Sequence, residues 1–95
     1  ADEKEDAMPA VAMFYGIIVY LHSERGSKHH RPHLHARCGD GKVAVDFDGE
    51  VLAGSFPVKK LALLRAWIVL HREELEADWL LASSGQAVFR IEPLR

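Results

Sequence analysis

The chain has a single cysteine, Cys38, among its 95 residues. That excludes an intramolecular disulfide and suits a reducing cytoplasm. It has no long hydrophobic run: the apolar stretch from Val11 to Leu21 is broken by Gly16 and falls short of the ~20 residues needed to span a bilayer. No secretory signal is readable in it, since the first residues are acidic where such a signal carries positive charge. It has no internal repeat and no low-complexity block beyond that acidic tail. Nor does it have a strong charge of one sign, because the formal net charge is -2. What remains is a chain long enough for one compact domain and too short for two, with 48% apolar residues to build a core.

The small net charge hides an uneven distribution. Residues 1–7 hold four acids and one base, which leaves ten acids and eleven bases in residues 8–95. The tail is expected to be disordered, and the domain to run from Met8 to Arg95. Between Ser23 and Arg37 the cations Arg25, Lys28, Arg31 and Arg37 face only Glu24. That local basic patch suits phosphate or an acidic partner.

Periodicity divides the domain into strands followed by a helix. Met13 to Leu21 is β-branched, aromatic and apolar on both faces, and reads as a first strand, with Gly16 marking a bulge or a close approach by another backbone. Ser23 to Pro32 reads as a polar loop. His33 to Cys38 and Lys42 to Phe47 flank an Asp40-Gly41 turn, and Glu50 to Ala53 makes a brief fourth strand after Asp48-Gly49. That turn sets Cys38 opposite Val43, Ala36 opposite Val45 and Leu34 opposite Phe47 on one apolar face. The other face then pairs Arg37 with Ala44 and His35 with Asp46, and brings His33 near Asp48. After Pro57 the period becomes helical. Leu61, Leu64, Ile68, His71 and Leu75 form a stripe, with a bend expected near His71 and an end before Ser83-Ser84-Gly85. Val88 to Ile91 reads as a last short strand.

The expected fold class is therefore α+β: a three- to four-stranded, mainly antiparallel sheet with one long or bent amphipathic helix on one face. The helix would cover Leu34, Ala36, Val43, Val45, Phe47 and Leu52. The face bearing His33, His35, Arg37 and Asp46 would point away from it, partly apolar and partly titratable, and a face of that kind meets a partner, a ligand or a second subunit.

Chemistry concentrates in His29-His30-Arg31-Pro32-His33-Leu34-His35, where four of the six histidines fall within seven residues. On a strand, His33 and His35 project together. Three uses follow. Two imidazoles beside Arg31 and Asp46 could take and return protons on a phosphodiester, with the guanidinium holding the phosphate, as in metal-independent RNA cleavage. His33 and His35 could instead ligate a divalent metal such as zinc, given a third ligand from His29, His30, Asp46 or Asp48. Or they are cross-strand partners of the aspartates that fix the register. His71, on the apolar stripe, reads as a core histidine satisfied by a backbone carbonyl. Trp67 and Trp79 read as core anchors, and Cys38 as inert filling.

Several segments resemble a known family. Met8-Pro9, Phe14 to Tyr20, Pro32-His33-Leu34-His35-Ala36, Gly49 to Gly54, Ala66-Trp67-Ile68 with His71, and Asp78-Trp79 through to Ile91-Glu92-Pro93-Leu94-Arg95 are similar to the bacterial domain of unknown function 4160. The resemblance implies a small cytoplasmic bacterial protein, often encoded beside a second small domain of unknown function, numbered 2442. It implies action with a cognate small protein partner, in the manner of one half of a toxin–antitoxin pair. It supplies no catalytic residue. RNA and a second copy of the chain are further expected partners; a membrane is not.

Overall fold

A computed structural model describes residues 9–21 and 31–95. The expected disorder of residues 1–7, the polar loop from Ser23, and the proposed ligands His29 and His30 lie outside the described residues. Within them the fold is α+β. Five strands run β1 (Ala10–Phe14), β2 (Ile17–Tyr20), β3 (His33–Cys38), β4 (Gly41–Asp46) and β5 (Val51–Ser55), followed by α1 (Val58–Leu70) and α2 (Arg72–Ser83). The strands form one antiparallel meander in the order β1-β2-β3-β4-β5.

Two expectations about the count of elements are corrected. The apolar run around Gly16 is a hairpin, not one strand, because Tyr15 and Gly16 both take positive φ (50° and 79°) and turn the chain back so that Phe14 pairs with Ile17. Two successive positive φ values are what a type I′ hairpin turn requires. The helical region is two helices rather than one. His71, at φ -120° and ψ 26°, leaves helical geometry; its N–H reaches back to the carbonyls of Trp67 and Ile68, and its own carbonyl accepts from Leu75 N–H at 2.9 Å. Glu73 and Glu74 then occupy the first turn of α2, where negative charge complements the helix dipole. Val88 to Ile91 is not a strand, although Ile91 N–H donates to the Val11 carbonyl at 2.8 Å and ties the C-terminal segment to β1.

The β3–β4 register is also corrected. Cys38 pairs with Gly41, Ala36 with Val43, Leu34 with Val45 and His33 with Asp46, a displacement of two residues from the expected pairing. Gly39, with φ 59°, takes the first central position of the turn and Asp40 the second. Gly41 is committed to packing: a Cβ there would lie 3.2 Å from Pro57 Cδ and 3.3 Å from the Ser55 carbonyl oxygen. A slip of two leaves every side chain on its expected face. Leu34, Ala36, Val43, Val45 and Phe47 are accordingly buried, beneath Leu64, Trp67, Ile68 and Leu75 from the helices. Leu52 is the exception, 40% exposed: it lies on β5, the edge strand, all five of whose residues are exposed, beside a register irregularity in its pairing with β4.

Candidate functional site

The site is assembled where β3 begins and β4 ends. Hairpin pairing sets His33 opposite Asp46, and both are almost fully buried, at 5% and 2% exposure. Asp46 Oδ2 accepts from Arg31 Nη1 at 2.9 Å, and Oδ1 accepts from the backbone N–H groups of Asp48 (2.9 Å) and Glu50 (2.8 Å). Burial pushes this carboxyl up. The N–H groups of Glu50 and Asp48 and the guanidinium of Arg31 outweigh that and hold it below the ordinary carboxylate range. The same residue closes the β4–β5 turn through its backbone, donating to the Glu50 carbonyl and accepting from Gly49 N–H.

His33 is oriented from the other side. Its Nδ1 lies 2.8 Å from the Arg31 carbonyl oxygen, which can only accept, so Nδ1 carries the proton. The ring packs against Trp79 of α2 and edge-on to His35, with centroids 5.4 and 5.2 Å away. Arg31, His33, His35 and Asp46 thus come together as the sequence predicts, with different partners. His35 faces Ala44 rather than Asp46, and Asp48 bonds Arg72 Nη1 at 2.6 Å rather than approaching His33. His71 is half-buried and bonds the Glu74 carboxylate at 2.7 Å instead of a backbone carbonyl. Cys38 is only partly buried, packed against the core.

Beside the cluster lies a cleft of about 240 Å³, lined by Arg31, Asp46, Asp48 and Glu50 with Arg72 and Glu76 from α2. Four carboxylates against two guanidiniums make it a poor receptor for phosphate. Sequence reasoning missed its α2 wall, and no local signal connects Arg72 to Asp48, 24 residues away. Among the described residues, no three His, Cys, Asp or Glu side chains converge as metal ligands would. Asp46, one of the expected third ligands, spends both oxygens on Arg31 and the β4–β5 turn.

The open face of the sheet is more suggestive. His35 and Arg37 on β3 share it with Lys42 and Ala44 on β4, and with Ile18 and Tyr20, which pair with Arg37 and His35 from β2. Met13 at its margin is 54% exposed. Arg37 and Lys42 are directly opposed and exposed, and neither makes an ion pair among the described residues. No described helix is long and apolar enough to cross a membrane.

Comparison with known proteins places residues 16–80 in one family, described as Domain of unknown function (DUF4160). No curated protein and no solved structure matches the chain.

Proposed function

The chain belongs to the DUF4160 family, and we propose that it acts as a small interaction module bound to a cognate acidic partner protein, as one half of a toxin–antitoxin-like pair in a bacterial cytoplasm. The observation that carries this reading is the cross-strand pair Arg37–Lys42. Like charges set directly opposite each other weaken a sheet. They become favourable when an anionic group neutralises both, and apolar Ile18 and Met13 beside them give such a partner something to bury. In this reading Asp46, Arg31 and His33 form a lock that holds β3, β4 and the β4–β5 turn together at one end of the binding face.

A second reading, histidine-dependent cleavage of RNA, draws support from one arrangement: His33 and His35 are in edge contact next to Arg31 and Asp46, and His35 shares a face with Arg37, Lys42 and Tyr20. RNA phosphates would then be the anions neutralised, and His35 the acid or base beside them. A metal-dependent variant has no support from the described donors, which do not converge.

One experiment separates the readings. The chain is induced alone and together with the gene adjacent to its own, as wild type, Arg37→Glu/Lys42→Glu and His35→Ala. The module reading expects a stable complex with the neighbour's product, lost in the charge-reversed variant and retained by His35→Ala. Growth arrest and RNA degradation abolished by His35→Ala in a folded protein would replace it with the ribonuclease reading. A complex indifferent to charge reversal would remove the open face from its role.

A further inference from the structure

Residues 86–95 form neither helix nor strand, yet they are fastened to three elements. Phe89 N–H donates to Asp78 of α2 at 2.9 Å, and Ile91 N–H to the Val11 carbonyl of β1 at 2.8 Å. The Glu92 carbonyl accepts from the indole N–H of Trp67 on α1 at 2.7 Å. Ile91 is buried, and Val88 and Leu94 pack against the core. Val88-Phe89-Arg90-Ile91 has the composition of a strand and meets β1, an edge of the sheet, but no ladder forms. In an extended segment the N–H groups of residues two apart point the same way. Ile91 gives its N–H to β1, whereas Phe89 gives its N–H to the helix, so Asp78 takes the donor that a second bond to β1 would use.

That attachment is incompletely satisfied. Asp78 is 2% exposed, and its Oδ2 has no hydrogen-bond partner among the described residues. A buried polar atom left unpaired carries a desolvation cost that contact with water would remove.

We propose that residues 86–95 are a displaceable strap, latched at Asp78, whose release lets water reach that carboxyl and uncovers the outer edge of β1. The strap has one hydrogen bond to each neighbouring element in place of a ladder. The Phe89 ring is 72% exposed, so little apolar burial backs its bond to Asp78. Segments held in this way open well below the free energy of global unfolding. Closed, the strap keeps the β1 edge from pairing with another chain; open, it frees the Val11 carbonyl and the Trp67 indole.

The proton on Asp78 sets the balance. Burial raises this carboxyl, the Phe89 N–H partly opposes that, and Glu74 adds to it. The closed state therefore holds the proton more tightly than the open one. Closure is strongest below the ordinary aspartate range and weakens as pH rises through the closed-state value. Glu74 lies on the same helix and is engaged by His71. β1 carries no titratable side chain, and on the strap Arg90 and Glu92 are exposed, Glu92 bonded to Arg95.

Amide hydrogen exchange of the full chain tests this, followed by NMR from mild acid to neutral pH and corrected for intrinsic rates. Phe89 and Ile91 are expected to open together, with protection about 100-fold or more below that of the β3–β4 amides. Their opening is expected to rise roughly threefold or more toward neutral pH in the wild type. It should stay level in Asp78→Asn, which keeps an acceptor for Phe89 and cannot ionise. Glu74 and His71 are unchanged in that variant, so any pH dependence belonging to them would survive there. Ile91→Ala removes the buried anchor and leaves the latch: opening increases at every pH, and the pH dependence remains. Exchange of Phe89 and Ile91 only in step with β3–β4 would make the segment part of the core and overturn the strap. Unrelated opening of the two amides, or an unaltered pH dependence in Asp78→Asn, would overturn it equally.

Discussion

Asp46 shows how one side chain can be indispensable to a site without being its reactive group. Its two oxygens serve one guanidinium and two backbone N–H groups, so replacing it removes the acceptor from part-buried donors on both sides. Asp46→Asn can accept at one atom only and turns an amide N–H₂ toward Arg31 or toward the turn. A loss of roughly 1–3 kcal/mol is expected by urea denaturation, because Arg31 is more than half exposed and the pair is partly screened. The pH dependence follows from the lowered carboxyl. The folded form holds its proton less tightly than the unfolded chain, so the stabilisation is present above the ordinary aspartate range and disappears as pH falls through the folded value. Asp46→Asn should lose that acid limb of the stability profile. Gly54 is a second residue with no substitute. At φ 85° it sits where a Cβ would meet the Lys42 carbonyl oxygen at 2.2 Å. Gly54→Ala is expected to cost about 2 kcal/mol or more, detectable as a lowered Tm, since both the dihedral and the clash must be relieved.

At the scale of elements, alternation and periodicity reveal faces and leave partners undetermined. Leu34, Ala36, Val43 and Val45 are readable as core because their alternation survives any two-residue displacement of the hairpin. The pairing of His33 with Asp46 is not readable: it depends on whether the turn is centred on Gly39-Asp40 or Asp40-Gly41, and the tight packing of Pro57 on Gly41 is a contact between residues 16 apart. The same holds for the two helices. The stripe from Leu61 to Leu75 and a bend near His71 are visible in the sequence, whereas the full break into two helices rests on the backbone geometry of His71. Asp78 is another element-scale feature without a sequence signature. It is buried in α2, accepts from Phe89 N–H at 2.9 Å with Oδ1, and has no hydrogen-bond partner at Oδ2 among the described residues. Burial raises its carboxyl; the Phe89 N–H partly opposes this and Glu74 adds to it. Its sign is opposite to that of Asp46. The folded state holds this proton more tightly than the unfolded chain, so its contribution is fully present below the ordinary aspartate range and is lost as pH rises through the folded value. Asp78→Asn keeps an acceptor for Phe89 and cannot ionise. It is expected to match or exceed wild-type stability at neutral pH and to lose that advantage in acid, as measured by chemical denaturation at both pH values.

For the whole molecule, the two sides of the sheet divide the work. One side is closed by Trp67, Ile68 and Leu75, and the C-terminal segment is tied to it by the indole N–H of Trp67, which donates to the Glu92 carbonyl at 2.7 Å. The other keeps Arg37 and Lys42 face to face. A domain selected for stability alone would place a carboxylate at one of those positions, because an opposite-charge cross-strand pair adds to sheet stability where a like-charge pair subtracts. Retaining two cations is intelligible if an anionic surface completes the arrangement, so stability and binding should respond oppositely to one substitution. Lys42→Glu supplies Arg37 with a partner within the domain. The isolated protein is expected to gain a few tenths of a kcal/mol, up to about 1, in urea denaturation, with the gain shrinking in high salt. Binding of the cognate partner should weaken at least tenfold by calorimetry, and the wild-type affinity should itself fall as salt rises. Lys42→Ala separates the two effects, since it relieves the repulsion without reversing the charge: stability rises slightly and affinity falls less than in Lys42→Glu. A stability gain with unchanged affinity would mean that the opposed cations are not matched to an anionic partner, and the open face would then have no claim to the protein's function.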